Sequence, residues 1–294
     1  MKTLLLICAA ALAFTGPAKA ESTEALLDKF KSLTSDLRQN QFNRSLVLSS
    51  TESTNQVAGD IHAVVDYPFN NLRTNLNSPQ HWCEVISLHS NTKYCRPMPS
   101  PAGSKLIVHI GAKTPEELSR VGRLEFDYQI SVATPKYMSL LLSAKAGPLG
   151  TSNYQISLEA IPLPNGQSFL HLTYSYNVSV MGRLAMQTYL ATAGRGKVGF
   201  TVVGQRPNGE PEYVGGVRGV VERNTMRYYL AIDALLGSTS TPAAAQFEHR
   251  LQSWFAATER YPLQLHEMES VEYLTMKRAE HVREQAVAPE DSGR

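Results

Sequence analysis

Apolar residues recur at intervals of three and four from Glu24 to Leu37, where Leu26, Leu27, Phe30, Leu33 and Leu37 are separated by Asp28, Lys29 and Asp36. That spacing predicts an amphipathic helix with one face on a core. The period then changes. Ser45 to Ser50 and Val57 to Val65 are rich in β-branched and apolar residues and flank the turn-prone Thr51 to Asn55, which predicts two strands. Asp66-Tyr67-Pro68-Phe69 breaks the second, because proline suits the first turn of a helix and not a strand interior, and Phe69, Leu72 and Leu76 continue at helical spacing. Asn77-Ser78-Pro79 stops that short helix and opens another, Pro79 to Ile86, with Trp82 and Val85 on one side.

From Lys93 to Val178 the pattern is again that of strands. They are predicted at Lys105 to Ile110, Gly122 to Val132, Tyr137 to Ala144, Tyr154 to Ile161 and Ser168 to Val178. Turns fall at Pro97 to Gly103, Gly147 to Gly150 and Pro164-Asn165-Gly166, and strands joined by short turns indicate an antiparallel meander. A helix is predicted at Arg183 to Ala191, strands at Val198 to Val203 and near Glu212 to Val221, and a helix from about Asn224 to Leu236. The Ser- and Thr-dense Gly237 to Pro242 is the clearest boundary. Beyond it, Ala243 to Gln285 is strongly helical, with Phe247, Leu251, Trp254 and Phe255 on one stripe, a kink or restart at Pro262, and a frayed tail from Ala286 to Arg294.

The start of the chain changes this picture. A basic Lys2, an apolar run from Leu4 to Phe14 and Ala18-Lys19-Ala20 before Glu21 form the three parts of a secretory leader, cleaved after Ala20. Cys8 lies inside the apolar run, which is the wrong place for a lipid anchor. No later segment has the roughly 18 uninterrupted apolar residues that a membrane helix requires. The mature chain is therefore expected to be soluble in a periplasm or outside the cell. Lys2 and Lys19 leave with the leader, so the surplus of 28 basic over 26 acidic residues becomes an even balance. A nucleic acid partner would demand a basic surface, and nothing in this balance supplies one. With Cys8 removed, Cys83 and Cys95 are the remaining thiols in an oxidising compartment and are expected to pair. Their separation is far wider than the Cys-x-x-Cys of redox pairs, so the bond is structural.

A strand, two short helices, an antiparallel sheet and C-terminal helices are the element order of the helix-grip fold, in which a curved sheet wraps a long helix. Ala63-Val64-Val65-Asp66-Tyr67-Pro68-Phe69, Leu72, Leu76, Pro79 and Trp82 resemble the opening of START and polyketide-cyclase-like (SRPBCC) proteins. The residue match covers about Val57 to Val85; only strand order extends it. The chain as a whole resembles an exported proteobacterial family that lends a compartment and no activity. The expected class is thus α+β: a helix-grip-like curved antiparallel sheet with flanking helices and a long C-terminal helical segment. The leader occupies 1–20, the grip-like domain 21–241, and the helical segment 242–294 packs on that domain. The helix at Arg183 to Ala191 and the length beyond Pro242 depart from the simple pattern.

The resemblance implies a binding or carrier protein for an apolar or amphiphilic small molecule, such as a lipid, held between sheet and helix. It implies no cofactor and sets no oligomeric state. Tyr174 and Tyr176 share one face of the Ser168 to Val178 strand with Leu170 and Leu172, and either orient a ligand or serve as core aromatics. His171 lies on the other face. In Glu222-Arg223-Asn224-Thr225-Met226-Arg227-Tyr228-Tyr229, Asn224 is a candidate helix cap, and Arg223 and Arg227, four apart, suit a carboxylate or phosphate head. The same arginines equally suit local pairing with Glu222 or the tail. The candidate ligand-binding set is Tyr174, Tyr176, His171, Arg223, Arg227 and Tyr228.

Catalytic signatures are wanting. Gly194-Arg195-Gly196-Lys197 lacks the earlier glycine and the following Ser or Thr of a phosphate loop. Neither His266-Glu267 nor His81-Trp82-Cys83 has metal-ligand spacing, and no Gly-x-Ser-x-Gly elbow exists. His62, His109 and His171 fall on strands, where they either meet inside the sheet or are satisfied singly. Two alternatives stay open. One is an enzyme using Tyr174 or His171 in the same cavity; the other is an envelope interaction module acting through the C-terminal helix.

Overall fold

The computed structural model describes residues 23–101, 103–191 and 196–286. The leader with its cleavage site and the tail 287–294 lie outside the described residues, as do two glycine-loop positions, 194 and 195.

The chain opens with helices α1 (Thr23–Ser32) and α2 (Thr34–Arg38), strands β1 (Leu46–Glu52) and β2 (Gln56–Val65), and helices α3 (Phe69–Leu76) and α4 (Pro79–Ser87). Six strands follow: β3 (Thr92–Ser100), β4 (Gly103–Ile110), β5 (Gly122–Ala133), β6 (Met138–Ala146), β7 (Thr151–Pro162) and β8 (Ser168–Val178). Helix α5 (Val180–Ala191) and a hairpin of β9 (Val202–Gln205) and β10 (Pro211–Tyr213) precede the long α6 (Gly216–Ser238). Helices α7 (Ala243–Thr258), α8 (Pro262–Leu265) and α9 (Ser270–Ala286) complete it. Among the described residues no helix is long and apolar enough to cross a membrane.

One antiparallel sheet of eight strands runs in the order β1-β2-β8-β7-β6-β5-β4-β3. Strands β3 to β8 form a meander, and β2 closes beside β8 with Ile61 opposite Leu172. The sheet curls, because α4 packs on β3 and β4 while α6 packs on β1, β2 and β8, and α4 and α6 touch each other. Bulges between Ile130 and Val132 and between Ser152 and Gln155 add to the coiling. This is a helix-grip arrangement, with β1 and the α5–hairpin insertion added to it.

The inner face carries Leu46, Ile61, Leu106, Val108, Leu140, Leu142, Leu158 and Leu172 into one buried cluster with Val221, Met226 and Leu230 of α6. Gly59 of β2 permits the close approach of α6: a Cβ there would collide with Thr225 Oγ1 and lie 3.4 Å from the Val221 carbonyl. Trp82 is fully buried, and its Nε1 and the Tyr128 hydroxyl both donate to the Leu76 carbonyl, fixing the end of α3 against the sheet. On the outer face, Leu26 and Phe30 of α1, Leu33 between the helices and Leu37 of α2 cover Ile161, Leu163 and Phe169. Helix α7 packs on α6 through buried Leu251 and Trp254, and α9 packs on α7 with Tyr273 stacked 5.2 Å from Trp254. The predicted stripe on α7 thus faces its own domain.

Four predicted elements differ, the first being the strand at Val198 to Val203, which begins only at Val202 as β9. The turn predicted over Pro97 to Gly103 is confined to its end, between Ser100 and Gly103; the chain is extended through Pro97 and Pro99 as β3, which is the edge strand, and an edge tolerates residues without an N–H. The strand near Glu212 to Val221 shrinks to Pro211–Tyr213, and α6 begins at Gly216, eight residues before Asn224. Valines 217, 220 and 221 read as strand, yet Val217 and Val221 bury against the sheet from a helix, so packing overrides propensity. Asn224 is therefore interior to α6 and caps nothing. Cys83 of α4 and Cys95 of β3 are joined as a disulfide, with Cα atoms 5.2 Å apart.

Candidate functional site

The sheet has two unequal ends. Strand β8 finishes where β2 begins and β4 gives way to β5, and there the 111–121 loop, the 147–150 turn, α5 and the first turns of α6 gather. The opposite end carries the links at 134–137 and 163–167, the β3–β4 turn and the 39–45 stretch before β1. Tyr174 and Tyr176 point inward from the loop end of β8, as the alternation predicts, and Tyr228 approaches them from α6. Their rings form a chain with Tyr154 of β7: Tyr154 stacks on Tyr176 at 5.2 Å, Tyr176 lies 5.7 Å from Tyr174, and Tyr174 lies 5.3 Å from Tyr228. The Tyr154 hydroxyl is 2.7 Å from Thr151 Oγ1, whereas the buried Tyr176 hydroxyl has no hydrogen-bond partner among the described residues.

These rings form one aromatic wall at the loop end. Burial pushes the phenols of Tyr154, Tyr174, Tyr176 and Tyr228 above their ordinary range, and desolvation, reinforced by the Arg227 charge, holds His89 at about 3. Yet Tyr154, Tyr228, His89 and Asn224 are only partly buried by accessible area. Burial around the rings thus coexists with residual accessible surface along this wall. Asn224, wrongly predicted as a cap, joins its parts: its Oδ1 lies 3.4 Å from His89 Nε2 and accepts from Arg227 Nη1 at 3.3 Å. Directly beneath α6, by contrast, Thr225 on Gly59 leaves no room between helix and sheet.

Beside this wall sits an ionic cluster. Glu267, in the link between α8 and α9, accepts from Arg227 Nη2 at 2.5 Å and pairs with Lys113 at 2.5 Å and Lys197 at 3.6 Å. Burial opposes ionisation of Glu267, but Arg227, Lys113 and Lys197 outweigh it and hold the carboxyl at about 2. Desolvation lowers Lys113 against the pull of Glu267, and repulsion from Arg227 and Arg223 adds to that lowering. Arg223 Nη1 donates to the Val198 carbonyl at 3.2 Å, and Lys197 donates to the His266 carbonyl. Neither arginine pairs with Glu222. That carboxylate is fully buried and instead accepts from Ser50 Oγ, Thr201 Oγ1 and the Phe200 and Thr201 amides. Outside the cluster, Lys113 and Met268 open onto a groove of about 810 Å³ between the 111–121 loop and α9.

His171 does not join this site. It faces the other side of β8, where its Nε2 is 2.8 Å from Asp60 Oδ1 and its ring stacks on His62 at 4.1 Å. Desolvation first, then the His171 charge, lowers His62 to about 3. The two histidines therefore meet, but outside the sheet, and His109 stands apart on β4 against Tyr94. Tyr174 and His171 are on opposite faces and cannot act on one substrate. Lys113, Lys197 and Glu267 carry no signal in the sequence, since each comes from a different connecting segment and only the fold assembles them.

The strand order and the paired closing helices define the protein as a helix-grip α+β protein. No family model matches the sequence, and no curated protein matches it significantly, so the resemblance to an exported proteobacterial family has no support. Solved structures with a related shape include norcoclaurine synthase from Thalictrum flavum in complex with dopamine and hydroxybenzaldehyde, at 10% identity and TM-score 0.34 over 51% of this chain and 80% of that one. Others are Ara h 8.0201, at 8% identity and TM-score 0.36 over 63% and 99%, and human StAR-related lipid transfer protein 5, at 9% and 0.31 over 57% and 87%. They are consistent with the helix-grip fold and carry nothing about function.

Proposed function

We propose that the mature protein binds an apolar or amphiphilic small molecule at the loop end of the grip, in an extracytoplasmic compartment that is the bacterial periplasm. The observation that carries this reading is the chain of tyrosine rings at the loop end, which we take to wall a recess. Tyr154 and Tyr228 keep accessible surface in a strongly desolvated setting, and the Tyr176 hydroxyl is buried with no partner among the described residues. A buried hydroxyl left unpaired costs about 1–3 kcal/mol, which a ligand oxygen or nitrogen would recover. Aromatic walls with phenolic tips suit a ligand that is apolar in body and polar at intervals. The compartment is supported by the leader from Lys2 to Ala20 and by the Cys83–Cys95 bond, which an oxidising environment preserves.

Native mass spectrometry of protein purified from its own periplasm, before and after extraction with organic solvent, tests this. The expected spectrum shows the chain cleaved after Ala20 plus a stoichiometric adduct that extraction removes. A bare chain in both spectra, from protein that also fails to bind small naphthalene probes, would remove the reading.

A further inference from the structure

Four cations reach the rim of the recess from three separate parts of the chain: Lys113 from the 111–121 loop, Lys197 from the stretch before β9, and Arg223 and Arg227 from successive turns of α6. Among the described residues, one carboxylate, Glu267, lies between them. Tying the α8–α9 link to α6 would need only the Arg227–Glu267 pair. Additional like charges drawn together at a partly buried place repel one another, so the cluster is costly as a strut and well suited as a seat for an anion. Its position matters as much as its charge. Arg227 holds Glu267 with one guanidinium nitrogen and Asn224 with the other, and Asn224 leads to His89, while Tyr228 and Tyr174 complete that wall.

We infer that Glu267 is a resident stand-in for the acidic head of the ligand: an amphiphile bearing a carboxylate or phosphate monoester displaces it from Lys113, Lys197 and Arg227 while its apolar body enters the tyrosine recess. The inference rests on the recess reading and adds the ligand's charge class. Glu267 is tethered by a short link between α8 (ending at Leu265) and α9 (beginning at Ser270). Its outward path is the groove that Lys113 and Met268 border. A tethered competitor weakens every acidic ligand by the fraction of time it occupies the seat and leaves neutral ligands untouched. Planar carboxylate or phosphate oxygens satisfy the arginine fork better than a hydroxyl does, which gives the site its preference among heads.

Equilibrium binding to the whole mature protein, followed by naphthalene fluorescence, tests this with naphthaleneacetate, naphthyl phosphate and naphthaleneethanol; calorimetry follows inorganic phosphate. Glu267→Gln is expected to tighten the two acidic probes about tenfold and leave the alcohol within about twofold, as removal of a competing carboxylate requires. Inorganic phosphate is expected to bind much more weakly than naphthyl phosphate. If acid and alcohol bind alike in the wild type and respond alike to Glu267→Gln, the anion seat is wrong and the recess stands. If no naphthalene probe binds either protein, the recess falls with it. Inorganic phosphate binding as tightly as naphthyl phosphate would show an anion site unconnected to the recess and overturn the inference. Should Glu267→Gln fail to fold, Lys197→Met decides: the acid-to-alcohol affinity ratio falls about tenfold if the lysine seats the head and is unchanged if it does not.

Discussion

Glu284, near the end of α9, is a carboxylate whose burial works against its charge, and its replacement by glutamine makes a sharp test of how α9 is held. Its Oε1 accepts from the Cys95 amide at 3.0 Å and from Ser87 Oγ at 3.3 Å, beside the disulfide that joins α4 to β3. Desolvation raises the carboxyl from 4.5 to about 7; the Cys95 amide, Lys277 and Ser87 oppose the rise, and Glu280 adds to it. Lys93, fully buried, and Lys277 both pair with Glu280, so the positive charge near Glu284 is largely committed already. The sign follows from linkage. An acid whose folded pKa is raised binds its proton more tightly in the native state, so its contribution to stability is full below 4.5 and is lost as pH rises to about 7. At 1.36 kcal/mol per unit, the loss amounts to about 3 kcal/mol by pH 8 and about 1 kcal/mol at pH 5. Glutamine keeps an oxygen for the Cys95 amide and carries no charge. Urea unfolding of Glu284→Gln and wild type is therefore expected to show the variant more stable by about 2–3 kcal/mol at pH 8 and within about 1 kcal/mol at pH 5. An equal difference at both pH values, or a variant less stable at pH 8, would show that Glu284 is not forced to ionise against its surroundings.

Two further outcomes follow from packing. Gly59→Val places side-chain atoms where Thr225 Oγ1 lies, and it is expected to lower stability by about 1–3 kcal/mol, read as a shifted urea midpoint; an unshifted midpoint would mean that α6 does not sit on β2 as described. Ending the chain at Thr241 removes Trp254, whose Nε1 donates to the Arg227 carbonyl from beneath α7, and Leu251, which is 1% exposed. The truncated chain is expected to lose its cooperative thermal transition, whereas a folded remainder would return α7 to the role of a detachable interaction helix.

Much of the fold can be read from local signals. Strand β8 starts and ends at the residues its alternation predicts, Pro68 and Pro79 mark the starts of α3 and α4, and Pro262 opens α8. These are places where one residue's covalent geometry or a strict period of two decides the outcome. The misread places are those where neighbours in space decide. Val217 and Val221 are β-branched but bury from a helix, and Pro97 and Pro99 sit in a strand because nothing pairs with its outer edge. The candidate site divides the same way. Tyr174 and Tyr176 follow from alternation on one strand, whereas Glu267, Lys113 and Lys197 meet only because three connecting segments finish at one end of the sheet, a coincidence with no periodicity to announce it.

The inequality of the two sheet ends has a practical consequence. The hairpin link around Asn165 and Gly166, where Gly166 adopts a left-handed φ of 78° and a Cβ would meet nothing within 4 Å, lies at the end remote from the tyrosines. A tether, dye or immobilising tag grafted there leaves the mouth unobstructed, so the molecule can be held by its back while whatever enters at the front is watched.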